Sequence, residues 1–508
     1  MSVAQKNHKT VAVIGAGISG LSAAWELANS APAGTRIVVI EATDRVGGLL
    51  RSIDVDGQTV DAGADAFLAR RPEAIELCQQ IGIRESLVAP SASSACVWSR
   101  GALRRLPDGL VLGVPTKLGP LAESGILSTK GLGRAALDLV LPSTEWSDAE
   151  DHSVGELVEG RLGEEVKDLL TGPLVGGINA GRIDELSAEA VFPALAEAIR
   201  KGGSLMLALR PDSKPSTGPT PSTAPPPVFL APGKGMWSLP DDLRTALIAR
   251  GVEISTSEKV ERLSRTTNPD SHDQVSASDD MDPVSNDQSS LSSTHRGERG
   301  DTWKLTTTSR TLECDALIIS TPASDASRLI SEVEPELAST LSEIKTASVA
   351  LVTFLLARES PSALMEGSGF LVPQLHSDRM VTACTFMSQK WAHLNRAGMT
   401  LMRASLGRSG DERIIQMSDR QVENAAQKEL ESMLGSIGKV VASVVSRFDR
   451  SFPQYTVGHL DRVDTIEEST SKLRPPVALA GSSYRGIGVP ACIASGRRAA
   501  RRVSEALA

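Results

Sequence analysis

The sequence predicts an α/β protein built around a discontinuous parallel sheet, with a helical section inserted between its parts. Three observations carry that expectation. The chain opens with a strand–glycine–helix–strand unit, closes with a second strand–glycine–helix unit, and holds between them a stretch poor in strand formers. At 508 residues with 41% hydrophobic side chains, it has enough apolar surface for one or two buried cores.

Thr10–Ile14 (TVAVI) is a short β-branched run of the kind buried on both faces of a sheet. A glycine turn follows, then a helix over about 18–29 and a second buried strand over 36–41 (RIVVIE). This βαβ spacing gives parallel strands. Residues 153–207 read as helices broken at Gly172–Pro173 and Gly176–Gly177. Residues 211–227 hold seven prolines and are expected to be a semi-extended linker or loop. Residues 266–301 carry eight acidic residues, eight serines and few apolar side chains, the composition of a disordered segment. Their flanks, 258–263 and 303–307, read as two strands of one hairpin. Residues 316–320 (ALIIS) make another buried strand, 477–480 (VALA) a further one, and 491–507 the last helix.

The net charge of −9 and 3% aromatic content disfavour nucleic acid as a partner. Most of that acidity belongs to residues 266–301, so the motifs exclude nucleic acid more firmly than the charge does. Five scattered cysteines without a C-x-x-C pair suggest neither a disulfide framework nor a metal site, and point to a reducing cytoplasm. Lys6, His8 and Lys9 before an apolar stretch imitate a secretory leader, but the glycines that interrupt it have another explanation.

That explanation is Gly15-Ala16-Gly17-Ile18-Ser19-Gly20, placed directly after a strand and opening a helix. The first glycine permits the tight turn, the second lets backbone approach a pyrophosphate, and the third lets helix and strand pack closely. Glu41 ends the next strand, where a carboxylate can accept ribose hydroxyls and disfavours a 2′-phosphate. A Rossmann-like dinucleotide site is therefore expected.

Residues 41–48 (EATDRVGG) resemble the extended motif of the FAD-dependent amine oxidase superfamily. Residues 63–72 (GADAFLARRP), 160–166 (GRLGEEV), 173–178 (PLVGGI), 184–187 (DELS), Lys390–Trp391, 453–459 (PQYTVGH) and 481–492 (GSSYRGIGVPAC) resemble, in order, segments of the protoporphyrinogen/coproporphyrinogen oxidase family. The branch it most resembles is the soluble Gram-positive one acting on coproporphyrinogen III. The resemblance implies an α/β plus α+β protein. A discontinuous Rossmann-like FAD-binding domain would comprise 1–70, 228–330 and 445–508, a mixed-sheet substrate domain 71–95 and 331–444, and a helical domain 96–210.

It also implies FAD as cofactor. The expected contacts are Gly15, Ala16, Gly17, Ile18, Ser19, Gly20, Glu41, Ala42, Arg45, Gly48, Gly63, Ala64, Asp65, Ala66, Val260, Trp391, Gly488, Val489 and Pro490. Arg70, Arg71 and Asn179 are expected at the substrate, Asn179 standing where the family often has an aromatic residue. The implied partners are a porphyrinogen and O2, with downstream haem-pathway enzymes and at most peripheral membrane contact. No catalytic side chain and no metal is assigned, because no nucleophile–base pair is visible and the seven histidines lack ligand spacing. A protoporphyrinogen IX oxidase, a flavin amine oxidase and a non-catalytic binding protein resembling Rab GDP-dissociation inhibitors remain as alternatives.

Overall fold

Five parallel strands far apart in sequence form the central sheet, in the order Glu253–Ser255, Arg36–Ile40, Thr10–Ile14, Ala316–Ile319 and Val477–Leu479. This computed structural model describes residues 9–92, 94–142, 150–210, 227–266, 301–357, 367–375 and 378–508. The expected Pro-rich linker and acidic segment lie almost wholly outside the described residues. So do Lys6 and His8 of the leader-like N-terminus.

The alternation of side chains along each strand explains why both faces are apolar. Val11, Val13, Ile37, Val39 and Ile318 point to one core, shared with helix Ile18–Ser30 and the last helix, Val489–Leu507. Ala12, Ile14, Val38, Ile40, Leu317 and Ile319 point to the other. That second core is closed by an antiparallel sheet of Val260–Thr266, Thr302–Thr307 and Thr311–Cys314, and by helix His459–Lys472. The hairpin read from the flanks of the acidic segment is therefore present, with Thr266 paired to Thr302. The first and last helices touch so closely that a Cβ on Gly496 would lie 2.1 Å from the Ser19 carbonyl oxygen.

A seven-stranded mixed sheet forms the second layer, in the order Val440–Pro453, Thr346–Ala357, Met399–Leu406, Val381–Thr385, Gly369–Leu371, Cys96–Ser99 and Ala102–Arg105. One pair, Phe370–Cys96 onward, is parallel and the rest are antiparallel. Helix Asp419–Leu434 packs its Val422, Ala426 and Leu430 against it. Strands 96–99 and 102–105, expected with the helices, pair into this sheet. Helix Pro72–Gln80, expected with the mixed sheet, instead buries Ala74, Leu77 and Cys78 in the core of the parallel sheet.

Helices between 118 and 210 enclose a core of their own, including Leu157, Leu170, Ile183 and Leu195. Inside it Asp138 accepts from Arg161 Nε (2.9 Å), Ser204 Oγ (2.7 Å) and the Met206 N–H (2.9 Å). This buried pair is fully hydrogen-bonded, the condition under which burial of charge is tolerated. One expectation needs correction here. The chain does not break at Gly172–Pro173 or Gly176–Gly177 but winds through both as a π-helix, Lys167–Gly176, running on to Gly177–Asn179. Pro173 has no N–H and its ring crowds the α-helical carbonyl four residues back, and wider i→i+5 winding absorbs that conflict without ending the helix.

Candidate functional site

The glycine turn is built as its spacing requires. Gly15 sits at φ +99°, and a Cβ on Gly20 would lie 2.0 Å from the Gly15 carbonyl oxygen. Gly17 differs: it is extended, it caps helix Ile18–Ser30 without a side-chain bond, and a Cβ there would meet nothing within 4 Å. The helix N-terminus thus opens on free space, with its first N–H groups lacking intrahelical partners. Glu41 approaches from the next strand. Its Oε2 accepts from the Ala16 N–H (2.8 Å) and its Oε1 from the N–H (2.9 Å) and hydroxyl (2.8 Å) of Thr43. The Gly47 N–H donates to the Ala16 carbonyl (2.8 Å), and the Arg45 guanidinium donates to the carbonyls of Gly48 (2.7 Å) and Val46 (3.0 Å). Arg45 therefore braces the second glycine loop from within.

These elements line one end of a cavity of about 670 Å³. Of the expected contacts, Gly15, Gly17, Ile18, Ser19, Glu41, Ala42, Gly48, Gly63, Ala64, Val260 and Val489 form its wall. The same cavity continues between the π-helix with its α-helical extension (Gly172, Pro173, Gly176 and then Gly177) and the mixed sheet (Thr346, Val349, Leu351, Thr382, Ser405). The loop at Gly481–Ser483 and Ile487 closes it. Tyr455, largely unread in the sequence, holds that loop: its hydroxyl donates to the Ser482 carbonyl (2.6 Å) and accepts the Gly486 N–H (2.7 Å).

The remaining expected contacts stand behind or away from the wall. Ala16 lies in the first turn and Gly20 in the first helix behind it, while Gly488 caps the last helix and Pro490 opens it. Asp65 and Trp391 form a layer underneath: both carboxylate oxygens of Asp65 accept from Lys390 Nζ at 2.9 Å, and one accepts Trp391 Nε1 at 3.1 Å. Burial acts to raise the Asp65 pKa, but Lys390 and Arg403 outweigh it and hold the carboxyl below its ordinary value. Ala66 packs against the core beside them. Nearby Asp61 is pushed up to about 6, chiefly by burial, against the Met236 and Trp237 N–H groups that favour its charged form. Arg70 and Arg71 are exposed, Arg71 near Glu73 (3.8 Å), and neither lines the cavity. Asn179 is buried, donating from Nδ2 to the Val175 carbonyl (2.8 Å), and it too lies off the wall.

His459 offers no base. It is buried, stacked on Tyr455 at 3.9 Å, paired through Nε2 with the Tyr484 carbonyl (2.7 Å), and its pKa is pushed down to about 4, mainly by burial. Among the described residues no group of acidic, histidine or cysteine side chains is placed to hold a metal. What the wall does offer is an open turn for a diphosphate and a joined apolar chamber.

The model of the flavin containing amine oxidoreductases matches residues 18–285 and 286–504. The chain belongs to that family. A coproporphyrinogen III oxidase of Bacillus subtilis (strain 168) is 31% identical over 503 residues, covering 98% of each chain. A protoporphyrinogen oxidase of Bos taurus is 28% identical over 97% of this chain and 98% of its own. A crystal structure from Exiguobacterium sp. 255-15, named only provisionally as a protoporphyrinogen oxidase, superposes with a TM-score of 0.80 at 28% identity, covering 98% of this chain and 99% of its own. Within its family the chain thus groups with the protoporphyrinogen/coproporphyrinogen oxidases. The cofactor of such a chain is a flavin. Among the described residues, no helix is long and apolar enough to cross a membrane.

Proposed function

We propose that this chain is an FAD-dependent coproporphyrinogen III oxidase, forming coproporphyrin III. The observation that carries the proposal is the continuity of one cavity from the glycine turn to a chamber between π-helix and mixed sheet. The full-length likeness to relatives named for this reaction supports it. FAD would place its diphosphate on the turn at Gly15–Gly20 and on Gly48, its ribose against Glu41, its adenosine end beside Val260, and its ring system towards Val489. In this reading the parallel sheet and the segments folded onto it carry the cofactor, and the mixed sheet and helices carry the substrate.

A bound flavin supplies a two-electron acceptor that O2 regenerates as H2O2. Conversion of the porphyrinogen to the porphyrin removes six electrons and six hydrogens, so three O2 are consumed and three H2O2 released. The chain's part is placement and exclusion. Leu351 and Val349 on the sheet and the bare backbone of Gly176 and Gly177 on the helix give a largely apolar chamber for the macrocycle. No side chain is assigned as base; neutral, buried His459 is not poised for it, and pyrrolic protons pass to solvent.

The test is an assay of the flavin-loaded protein with coproporphyrinogen III and protoporphyrinogen IX side by side, following porphyrin fluorescence and peroxide. Faster turnover of coproporphyrinogen III with three peroxides per porphyrin is expected. Preference for protoporphyrinogen IX, or turnover of polyamines alone, overturns the proposal.

A further inference from the structure

Two arginines that the sequence did not single out line the chamber away from the glycine turn: Arg408 and Arg450. The sheet order brings them together. Strand Thr346–Ala357 lies between Met399–Leu406 and Val440–Pro453, and Ser348, near its start, sits beside both arginines. The Arg450 N–H donates to Ser348 Oγ (2.9 Å), and a Cβ on Gly407 would lie 2.8 Å from the Ser348 carbonyl oxygen. The two arginines thus flank one residue, Arg450 from within strand Val440–Pro453 and Arg408 from just past the end of strand Met399–Leu406.

Among the described residues, neither guanidinium makes a direct ion pair, although Asp411 and Glu429 act on Arg408 from farther off. Arg408 is half-buried, its guanidinium's one hydrogen bond among the described residues is a long contact to the Arg379 carbonyl (3.5 Å), and no carboxylate among them is within ion-pair reach. Its neighbour Asp411 is engaged by Arg413 at 2.6 Å. A partly desolvated guanidinium without a direct ion-pair partner is stabilised when a carboxylate arrives within hydrogen-bond reach. Arg450 adds an independent sign, since it holds φ +47°, a left-handed conformation that a non-glycine residue adopts at a cost. The fold tolerates that strain where it aims a charged side chain into the cavity.

Resting on the proposed function, we infer that Arg408 and Arg450 are the carboxylate-binding pair of the substrate chamber, each taking one propionate of the tetracarboxylate macrocycle. Arginine suits this because its fork matches a carboxylate bidentately.

The experiment measures binding of coproporphyrin III and of its tetramethyl ester, in the same detergent, to the flavin-loaded wild type, Arg408→Gln and Arg450→Gln. Each substitution is expected to weaken the tetra-acid about tenfold and leave the ester and the flavin content unchanged. Arg408→Lys is expected to recover part of the loss. Equal weakening of acid and ester, an unchanged tetra-acid affinity, or loss of flavin overturns the inference. Arg450 is exposed, so its variant decides alone if Arg408→Gln does not fold. Absence of porphyrinogen oxidation by the wild type would sink the proposed function while leaving arginine-dependent acid binding measurable.

Discussion

Gly17 and Asp61 illustrate two ways a single residue serves a site. At Gly17 the space beyond the backbone is the point: a Cβ would meet nothing within 4 Å, so a larger side chain fits the protein and displaces the ligand. Gly17→Val is therefore expected to purify without flavin absorbance yet melt where flavin-stripped wild type melts; normal flavin occupancy would refute that role. Asp61 instead stores a pH dependence. Its carboxyl is raised from 3.8 to about 6, so the folded protein holds a proton that the unfolded chain has released. Its contribution is fullest below about pH 4 and is lost as pH rises through 6, a change of roughly 3 kcal/mol. Urea titrations should show Asp61→Asn gaining on wild type by that amount between about pH 4 and pH 7, and a constant offset would mean that Asp61 titrates normally. Arg408 and Arg450 show why some residues escape sequence reading. They are brought together by strand order, which no local spacing encodes. Arg70 and Arg71 show the converse, since arginines beside a motif look alike whether they face a ligand or water.

Among elements, those fixed by local chemistry were legible and those fixed by packing were not. Strand Thr10–Ile14 and the helix from Ile18 follow from a β-branched run, a glycine turn and apolar periodicity, and the structure has them there. The hairpin flanking residues 267–300 was legible because each of its two strands kept its own pattern of apolar and polar residues. The π-helix Lys167–Gly176 was not, because glycine and proline forbid only α-helical continuation. Its wider winding sets which residues face the cavity, with Gly172, Pro173, Gly176 and Gly177 all on the wall. Pro173→Ala restores an N–H and removes the ring, and the segment is expected to relax towards α-helical winding. Coproporphyrin III should then bind more weakly while the melting temperature holds or rises. A parallel fall in both would assign Pro173 to stability alone.

At the scale of the whole molecule, the two layers and the helical section are separable from the long insertions. Thr266 and Thr302 already pair at the end of their hairpin, so residues 267–300 are not needed to bring those strands together. Replacing them by a short Asn-Gly turn shortens the closed loop and is expected to leave flavin content and melting temperature no lower. Loss of flavin in that variant would give the segment a role in the site. The central sheet imposes a different constraint. Its five strands begin at Thr10 and end at Leu479, and the helix that meets Ser19 through Gly496 follows the last of them. A ribosome adding residues from the N-terminus exposes the glycine turn first and the strand and helix that complete its surroundings last. The nascent chain therefore carries the glycine turn with unfinished surroundings until strand Val477–Leu479 and helix Val489–Leu507 have emerged, and stable capture of any ligand at that turn has to await them.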